Sequence, residues 1–528
     1  MRKFKNLSAF LECSTGVTPK VSFIKKYIDY ISQMGYNELY LGLTDAYKME
    51  GEPYFNYKRG GYTVEDFKEM DAYAISKGVT LIPNIQTLAH MHFLKRHAIY
   101  RDLFDTDEIM LVDDDRVLAL VDKMFATMAQ SFTTRRIHIG YDEAYGLGTG
   151  KYRDLHGTVD KKELLLRHLL RVLKIAEKYG FVCEIWHDML METNNTTVTA
   201  EDVKKALPEN VRVFMWDYFE KDEDKMREKI ETLKKHCSSF GFATSIYKCC
   251  GFTSRNSFSV DVLLPQMKIC AEKGLNDFMV TMWSNLGAQC SYLAALPALF
   301  VASEYNNGNY EVGGQLDKAK FKAITGVNFD DLWDIEYIDD PFQKIPKTTG
   351  NRSFWIFLTD ILAGYYDMLL SEGTNEKYLG LAKRFESVDG GDFSHVFAFY
   401  AQLAKVLSIR AELGLKIRKA YNAKDKKALK SLCDNDLTQL IAEMKSLIKE
   451  FDAYWLKDNS AYGLEYNHIF FGGLIVRFEH AINRITAYIE NDEPIEECEG
   501  TIKPSVLFDW NEDQCEEYDY KKFISCGI

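Results

Sequence analysis

The chain has 528 residues, 46% of them hydrophobic and 13% aromatic, enough apolar material for two domains or for one large barrel with an appendage. A formal net charge of −13 sets up a field that repels nucleic acid and anionic membrane surfaces, so neither is expected as a partner. The longest apolar stretch, around Tyr292–Ala302, contains Pro297 and is about half the roughly 20 residues of a membrane span. The N-terminal stretch reaches Glu12 before a long apolar region forms, so it does not read as a signal peptide. Eleven cysteines, with no repeated Cys-x-x-Cys spacing and Cys249–Cys250 as their closest pair, suit reduced thiols better than a disulfide framework; a cytoplasmic protein is expected.

From the N-terminus, short β-rich runs alternate with amphipathic ones. Leu7–Cys13 reads as a strand; Phe23, Ile24, Tyr27, Ile28 and Ile31 then recur at helical spacing, with Gly35 at the C-terminal capping position. Glu38–Thr44 is the next strand. A helix from Thr63, with Asp66 placed for a capping box, runs to Gly78 and is followed by the strand Thr80–Thr87. Asp160 and Glu163 open a helix that stops at Gly180, and Val260–Lys273 is a helix that stops at Gly274. The remaining strands are Arg136–Glu143, Val182–Met189, Val211–Tyr218, Phe242–Cys249 and Phe278–Asn285. Eight strands separated by helical segments predict an α/β fold, a (β/α)₈ TIM barrel over residues 1–305. Gly146-Leu-Gly-Thr-Gly150 follows the fourth strand, lacks the Lys of a phosphate loop, and is expected to be a flexible loop over the site.

Beyond about Ala302 the alternation stops. Two breaks, Asn306–Gly314 and Asp339–Gly350, mark residues 306–350 as an irregular linker. Amphipathic segments at Phe354–Ser371, His395–Tyr421, Lys426–Trp455 and Gly463–Glu490 predict a mostly α-helical C-terminal domain, residues 351–528. These helices are expected to pack on one another or on a second subunit, which would make a homodimer. The last forty or so residues are acidic and rich in Tyr and Glu, and they assign themselves to no element.

Active sites of such barrels lie at the C-terminal ends of the strands. Strand four ends in Asp142-Glu143, strand five carries Trp186, His187 and Asp188, strand six Trp216, Asp217 and Tyr218, strand seven Tyr247, and strand eight Trp283 and Asn285. Of the four Asp-Glu dipeptides, beginning at Asp107, Asp142, Asp222 and Asp492, only the second follows a core strand. An acidic pair there serves a solvated loop or a helix cap as readily as chemistry. Tryptophan in a barrel is commonly core filler, but three indoles beside carboxylates on one rim suit a sugar ring, whose C–H faces pack on aromatics while its hydroxyls need carboxylates and amides. That combination points to glycoside hydrolysis, in which one acid protonates the leaving oxygen and another group supports an oxocarbenium-like transition state. Two nearby negative charges push one pKa upward, giving one protonated acid and one ionised partner. Adjacent side chains diverge, so a carboxylate nucleophile on the opposite sugar face is hard to build from them.

His138-Ile-Gly-Tyr-Asp142-Glu143 resembles the His-x-Gly-x-Asp-Glu signature of glycoside hydrolase family 20, the β-N-acetylhexosaminidases. Ile82-Pro-Asn-Ile-Gln-Thr-Leu-Ala-His90, Ile185-Trp-His-Asp-Met189 and Trp283 resemble its hexosaminidase D-like branch, so that the likeness covers roughly residues 5–300. The resemblance implies an exo-acting retaining enzyme that removes terminal β-linked GlcNAc or GalNAc by substrate-assisted catalysis, without cofactor or metal. It implies Glu143 as general acid and base, Asp142 as the group that orients the acetamido N–H and stabilises an oxazolinium, and Tyr247 as a donor to the acetamido oxygen. Trp186, Trp216 and Trp283 would enclose the sugar, with Asp188, His90 and Glu12 as further substrate-binding residues. Two departures stand out. The first strand has no Arg, where many members use one to grip O3 and O4, and Glu12 is the only charge near its end; Ala89 replaces the Gly that commonly precedes the strand-three His.

Other readings of the same residues stay open. His90 serves equally as a hydrogen-bonded core histidine, His138 reads as structural, and Asp188 either binds a hydroxyl or orders a loop. His138, His187, Asp142 and Asp188 would suit Zn or Mn in a metal-dependent barrel hydrolase, although no His-x-His or His-Glu-x-x-His spacing supports one. A glycan-binding barrel without turnover is the non-catalytic alternative.

Overall fold

A computed structural model describes residues 2–191, 196–249, 251–284, 288–342, 352–364, 367 and 370–500. Eight strands, β1 (Asn6–Glu12), β2 (Glu38–Thr44), β3 (Thr80–Ile85), β4 (Arg136–His138), β5 (Val182–Trp186), β6 (Arg212–Trp216), β7 (Phe240–Ser245) and β8 (Asp277–Met282), are parallel and close into a barrel in chain order. The principal helices that follow them are α1 (Val21–Met34), α2 (Val64–Ser76), α3 (Asp115–Ser131), α4 (Lys161–Lys178), α5 (Ala200–Ala206), α6 (Glu223–Leu233), α7 (Asn256–Glu272) and α8 (Leu296–Asn306). This is the (β/α)₈ architecture the alternation predicts.

The local signals act as expected at several helix ends. Gly35, at φ 109, donates its N–H to the carbonyls of Ile31 and Ser32 and stops α1, a left-handed position that costs glycine least. Thr63 and Asp66 form a reciprocal capping box at the start of α2, and the Asp160 carboxylate accepts the N–H groups of Lys162 and Glu163 at the start of α4. Helix α3 occupies a stretch that the alternation left unassigned. Asp114 caps it, and Val117, Leu120, Val121, Met124, Phe125 and Met128 make its buried face. Helix α7 begins four residues before Val260 and carries Pro265 within it.

The chain divides into two compact units, the first comprising residues 1–246, 259–283 and 298–316, the second 247–258, 284–297 and 317–528. In the second unit, α9 (Lys318–Thr325) and α10 (Phe329–Trp333) lie in the stretch expected to be irregular; α11 (Arg352–Leu358), α12 (Thr374–Glu386), α13 (Ser394–Asn422), α14 (Lys426–Ser431), α15 (Thr438–Asp458) and α16 (Leu464–Asn491) follow. In the segment expected to be helical from Phe354 to Ser371, the α-helix α11 ends at Leu358. The Asp360 carboxylate accepts the N–H groups of Leu362 and Ala363, a local turn that competes with the helix, and Gly364 then takes φ 64. A π-helical turn, Leu432–Leu437, interrupts the run expected to be continuous from Lys426 to Trp455. Among the described residues no helix is long and apolar enough to cross a membrane. Asn285 and residues 501–528 lie outside the described residues.

Two layers fill the barrel. Toward the N-terminal ends of the strands, Arg136 contacts Glu38, Glu184 (2.8 Å) and the Tyr40 hydroxyl (2.7 Å), while Arg212 bridges Glu184 (3.4 Å) and Asp277 (3.1 Å). Above this ionic floor Phe10, Tyr40, Ile82, Trp186, Phe214, Ala243 and Met279 form an apolar cluster. Its large rings fit because the neighbouring strand gives way at a glycine. A Cβ on Gly42 would lie 2.6 Å from the Phe10 ring, and one on Gly241 would lie 2.6 Å from the Phe214 ring. Overpacking such a core typically costs about 1–3 kcal/mol.

Candidate active site

Strand β4 is shorter than its alternating sequence suggests. After His138 the chain keeps contact with β5 through Ile139 N–H to Glu184 O (2.8 Å) and Trp186 N–H to Gly140 O (3.0 Å), then turns through positive φ at Gly140 (78°), Tyr141 (73°) and Glu143 (52°). Gly140 is required twice over, because its φ is left-handed and a Cβ there would sit 1.9 Å from Gln86 Oε1. The two non-glycine positions store strain, about 1–3 kcal/mol each. The kink gives adjacent carboxylates different surroundings: the Asp142 side chain is 14% exposed and that of Glu143 is 46% exposed.

One imidazole serves both acids. His90, just after β3 and itself at φ 57, places Nε2 3.3 Å from Asp142 Oδ2 and 3.6 Å from Glu143 Oε2. Gln86 donates its Nε2–H to Asp142 Oδ1 at 3.3 Å. Behind Glu143, its backbone N–H donates to Asp188 Oδ2 (2.8 Å), and Asp188 Oδ1 accepts the indole N–H of Trp216 (3.1 Å). Asp188 thus orders the loop that carries the acids and the indole beside them.

The electrostatics separate the two carboxylates. Burial opposes charge on His90, but the hydrogen bond and charge of Asp142, with Glu143 and Glu108 behind it, push its pKa up to about 9. Burial would raise Asp142, yet the His90 hydrogen bond and charge hold it below the ordinary carboxylate value. Glu143 is raised, by burial and by the Asp142 charge. Neighbouring acids therefore differ in proton affinity in the sense that acid–base work requires. Asp188 is pushed up to about 6 by burial and the same Asp142 charge. His138 and His187 are both lowered to about 4, chiefly by burial. His138 Nδ1 takes the amide of Asn84 (2.8 Å) and the N–H of Gly140 (3.2 Å), a structural placement under the kink.

The three indoles are not equivalent. Trp186 is 1% exposed within the apolar cluster, its ring 4.3 Å from that of His138 and 6.1 Å from that of Trp283; it forms floor, not a side wall. Trp216 and Trp283 are partly buried and pack on that cluster. Trp216 stacks on Tyr218 at 5.2 Å, and Tyr218 OH accepts the Trp283 indole N–H at 2.9 Å. A cavity of about 770 Å³ shares His187, Asp188 and Trp216 with this rim and extends to Lys225 and Lys229 of α6.

Glu12, at the end of β1, is buried, and its carboxylate accepts the N–H (3.0 Å) and hydroxyl of Ser14 (2.5 Å). Burial raises its pKa, while the hydrogen bonds from Ser14 and Thr15 and, least, the His90 charge counter this. Tyr247 follows β7 by two residues and belongs to the second unit. The first unit thus brings together Asp142, Glu143, His90, Asp188, Glu12, Trp186, Trp216 and Trp283. Sequence reasoning missed Gln86 and Glu108. Gln86 lies inside the strand-three motif, four residues before His90; Glu108 belongs to one of the Asp-Glu pairs that follow no core strand.

Residues 19–234 match the sequence model of the glycosyl hydrolase family 20 catalytic domain, and residues 330–516 match that of the Glycoside Hydrolase 20C C-terminal domain. The chain is similar to hexosaminidase D of Homo sapiens, 27% identical over 212 residues, which is 38% of this chain and 43% of that protein. It is similar also to hexosaminidase D of Bos taurus, 25% identical over 212 residues, 38% of this chain and 60% of that protein. In both cases the likeness spans less than two thirds of the relative. Among solved structures, the Streptomyces plicatus N-acetyl-β-hexosaminidase in complex with Thio-NAglucal aligns over 62% of this chain and 70% of its own, at 19% identity and a TM-score of 0.44.

Proposed function

We propose, from the premise that this chain belongs to glycoside hydrolase family 20, that it is an exo-acting retaining β-N-acetylhexosaminidase that removes terminal β-linked GlcNAc or GalNAc. The observation that carries this reading is the pair Asp142 and Glu143 held around His90, one acid with its pKa lowered and the other with its pKa raised. Adjacent carboxylates cannot flank a sugar ring, so the nucleophile is the 2-acetamido oxygen of the substrate, which attacks C1 as the glycosidic bond breaks. Glu143, half exposed and inclined to hold its proton, protonates the departing oxygen. It then takes a proton from the water that opens the oxazolinium, and the anomeric configuration is retained.

Asp142 accepts the acetamido N–H and stabilises the positive charge that develops on the oxazolinium ring, for which it must be ionised. Trp216 and Trp283 enclose the sugar face and acetamido methyl above the Trp186 floor, and Glu12 and Asp188 offer acceptors to sugar hydroxyls. Removing the proton donor tests this directly. Glu143→Gln is expected to cut hydrolysis of aryl β-GlcNAc by at least ~10³-fold, in line with loss of general acid catalysis, and Asp142→Asn to weaken binding of a thiazoline mimic of the intermediate as well. Wild-type rates on 2-acetamido substrates in either variant, or equal turnover of the matching 2-hydroxy glycosides by the native protein, would overturn the assignment.

A further inference from the structure

The acidic pair Asp107-Glu108 has no part in the chemistry described so far. Its loop is closed by Asp105 N–H to Ile109 O (2.8 Å) and by the bridge between Phe104 and Met110. It is also laced to the segment after β3, by Met91 N–H to Glu108 O (3.0 Å) and Met110 N–H to Leu88 O (2.8 Å). Backbone bonds on either side of His90 therefore fix the position from which Glu108 extends. The two acids then diverge. Asp107, fully exposed, pairs with Lys95 at 2.6 Å, while Glu108 brings Oε2 to 4.0 Å from His90 Nδ1. The other nitrogen of that ring is the one facing Asp142 and Glu143.

Carboxylates 3.3 Å from one ring nitrogen and 4.0 Å from the other favour the imidazolium, the one form in which both nitrogens carry protons, the Glu108 side as an ion pair rather than a hydrogen bond. We propose that Glu108 is a positioning residue: through Nδ1 it keeps the His90 ring charged and oriented, so that Nε2 holds Asp142 as an anion and Glu143 at the proton affinity its task needs. This rests on the reading of Glu143 as proton donor. Among the described residues, the charges that act on His90 include Glu108, Asp142, Glu143, Glu12 of β1 and His92, and those that act on Glu143 include Asp142, His90 and Glu108. Neutralising Glu108 removes one anion from the imidazolium, so the His90 pKa falls. It also removes a like charge from near Glu143, so that acid loses its proton at lower pH.

Both midpoints therefore move to lower pH, which a merely structural role for the loop would not produce. The test uses the full chain with ¹³C-labelled histidine, the His90 resonance being identified by its loss in His90→Gln. In Glu108→Gln the His90 titration midpoint is expected to fall by roughly half a unit or more, and the alkaline limb of kcat/KM to move in the same direction. Glu108→Asp, which restores the charge, should return both toward the native values. An unchanged His90 midpoint in Glu108→Gln, or an equal displacement in both variants, overturns the proposal. If the native protein hydrolysed no aryl 2-acetamido glycoside, the function reading would fail while the His90 titration still decided the role of Glu108.

Discussion

Gly140 decides whether the two acids can be displayed at all. Gly140→Ala would force a Cβ against Gln86 Oε1, 1.9 Å away, at φ 78, and is expected to cost about 1–3 kcal/mol in urea denaturation. Because misplacement by an ångström can cost about 10² in rate, kcat/KM should fall by at least that factor. A second change, Gln86→Ala, relieves the clash but not the backbone strain, and should restore stability only in part. On the proposed mechanism the acid limb of the kcat/KM profile should lie below the ordinary carboxylate range, since protonating Asp142 would remove its stabilisation of the oxazolinium and its pKa is lowered. On the same proposal the alkaline limb should lie above it, since the proton donor would be lost when Glu143 ionises and its pKa is raised. Asp142 and Glu143 were legible in the sequence because they are neighbours after an apolar run. Gln86 and Glu108 were not, since no local spacing reports which loop residue crosses to an imidazole.

Among the elements, starts were easier to read than ends. Glu38, Thr80, Arg136 and Val182 begin their strands where the alternation does, and Gly35, Thr63 and Asp160 act as the helix punctuation they look like. Strand ends were overrun, most of all at β4, because the residues that leave the sheet keep the strand's composition while their φ changes sign. The glycines of Gly146–Gly150 predict a flexible loop, yet Asp105 pins it. The Asp105 carboxylate accepts the N–H groups of Gly148 (2.6 Å) and Tyr152 (2.7 Å), and its carbonyl accepts that of Lys151 (2.9 Å). A Cβ on Gly150 would meet the same carbonyl at 2.0 Å, so that glycine serves close approach rather than mobility. Asp105→Ala should cost about 2–4 kcal/mol, given two lost charge-assisted bonds, and should speed amide exchange at Gly148 and Tyr152 well beyond that of β3. Unchanged exchange there would mean that the loop is held by something else.

At the scale of the whole barrel, Arg136 and Arg212 join residues of β2, β4, β5, β6 and β8 into one ionic layer. Burial opposes charge on Glu184, but Arg136 and Arg212 outweigh it and hold its pKa below the usual carboxylate value. Its contribution to stability is therefore present above the unfolded-state pKa of about 4.3 and is lost as pH falls through the lower folded value. Arg136→Met leaves Glu38 and Glu184 without that partner and should cost about 3–5 kcal/mol near neutral pH. The deficit against the native protein should narrow in acid, where Glu184 can take up a proton; a constant deficit across pH in urea melts would contradict this account.

The ionic layer sits at the strand starts, whereas the proposed catalytic acids sit beyond the strand ends. Fastening and chemistry thus draw on separate sets of side chains with the apolar cluster between them. Sequence drift at the strand ends need not loosen the staves, and a lineage carrying this barrel could retune the proposed sugar preference at little risk to its folding.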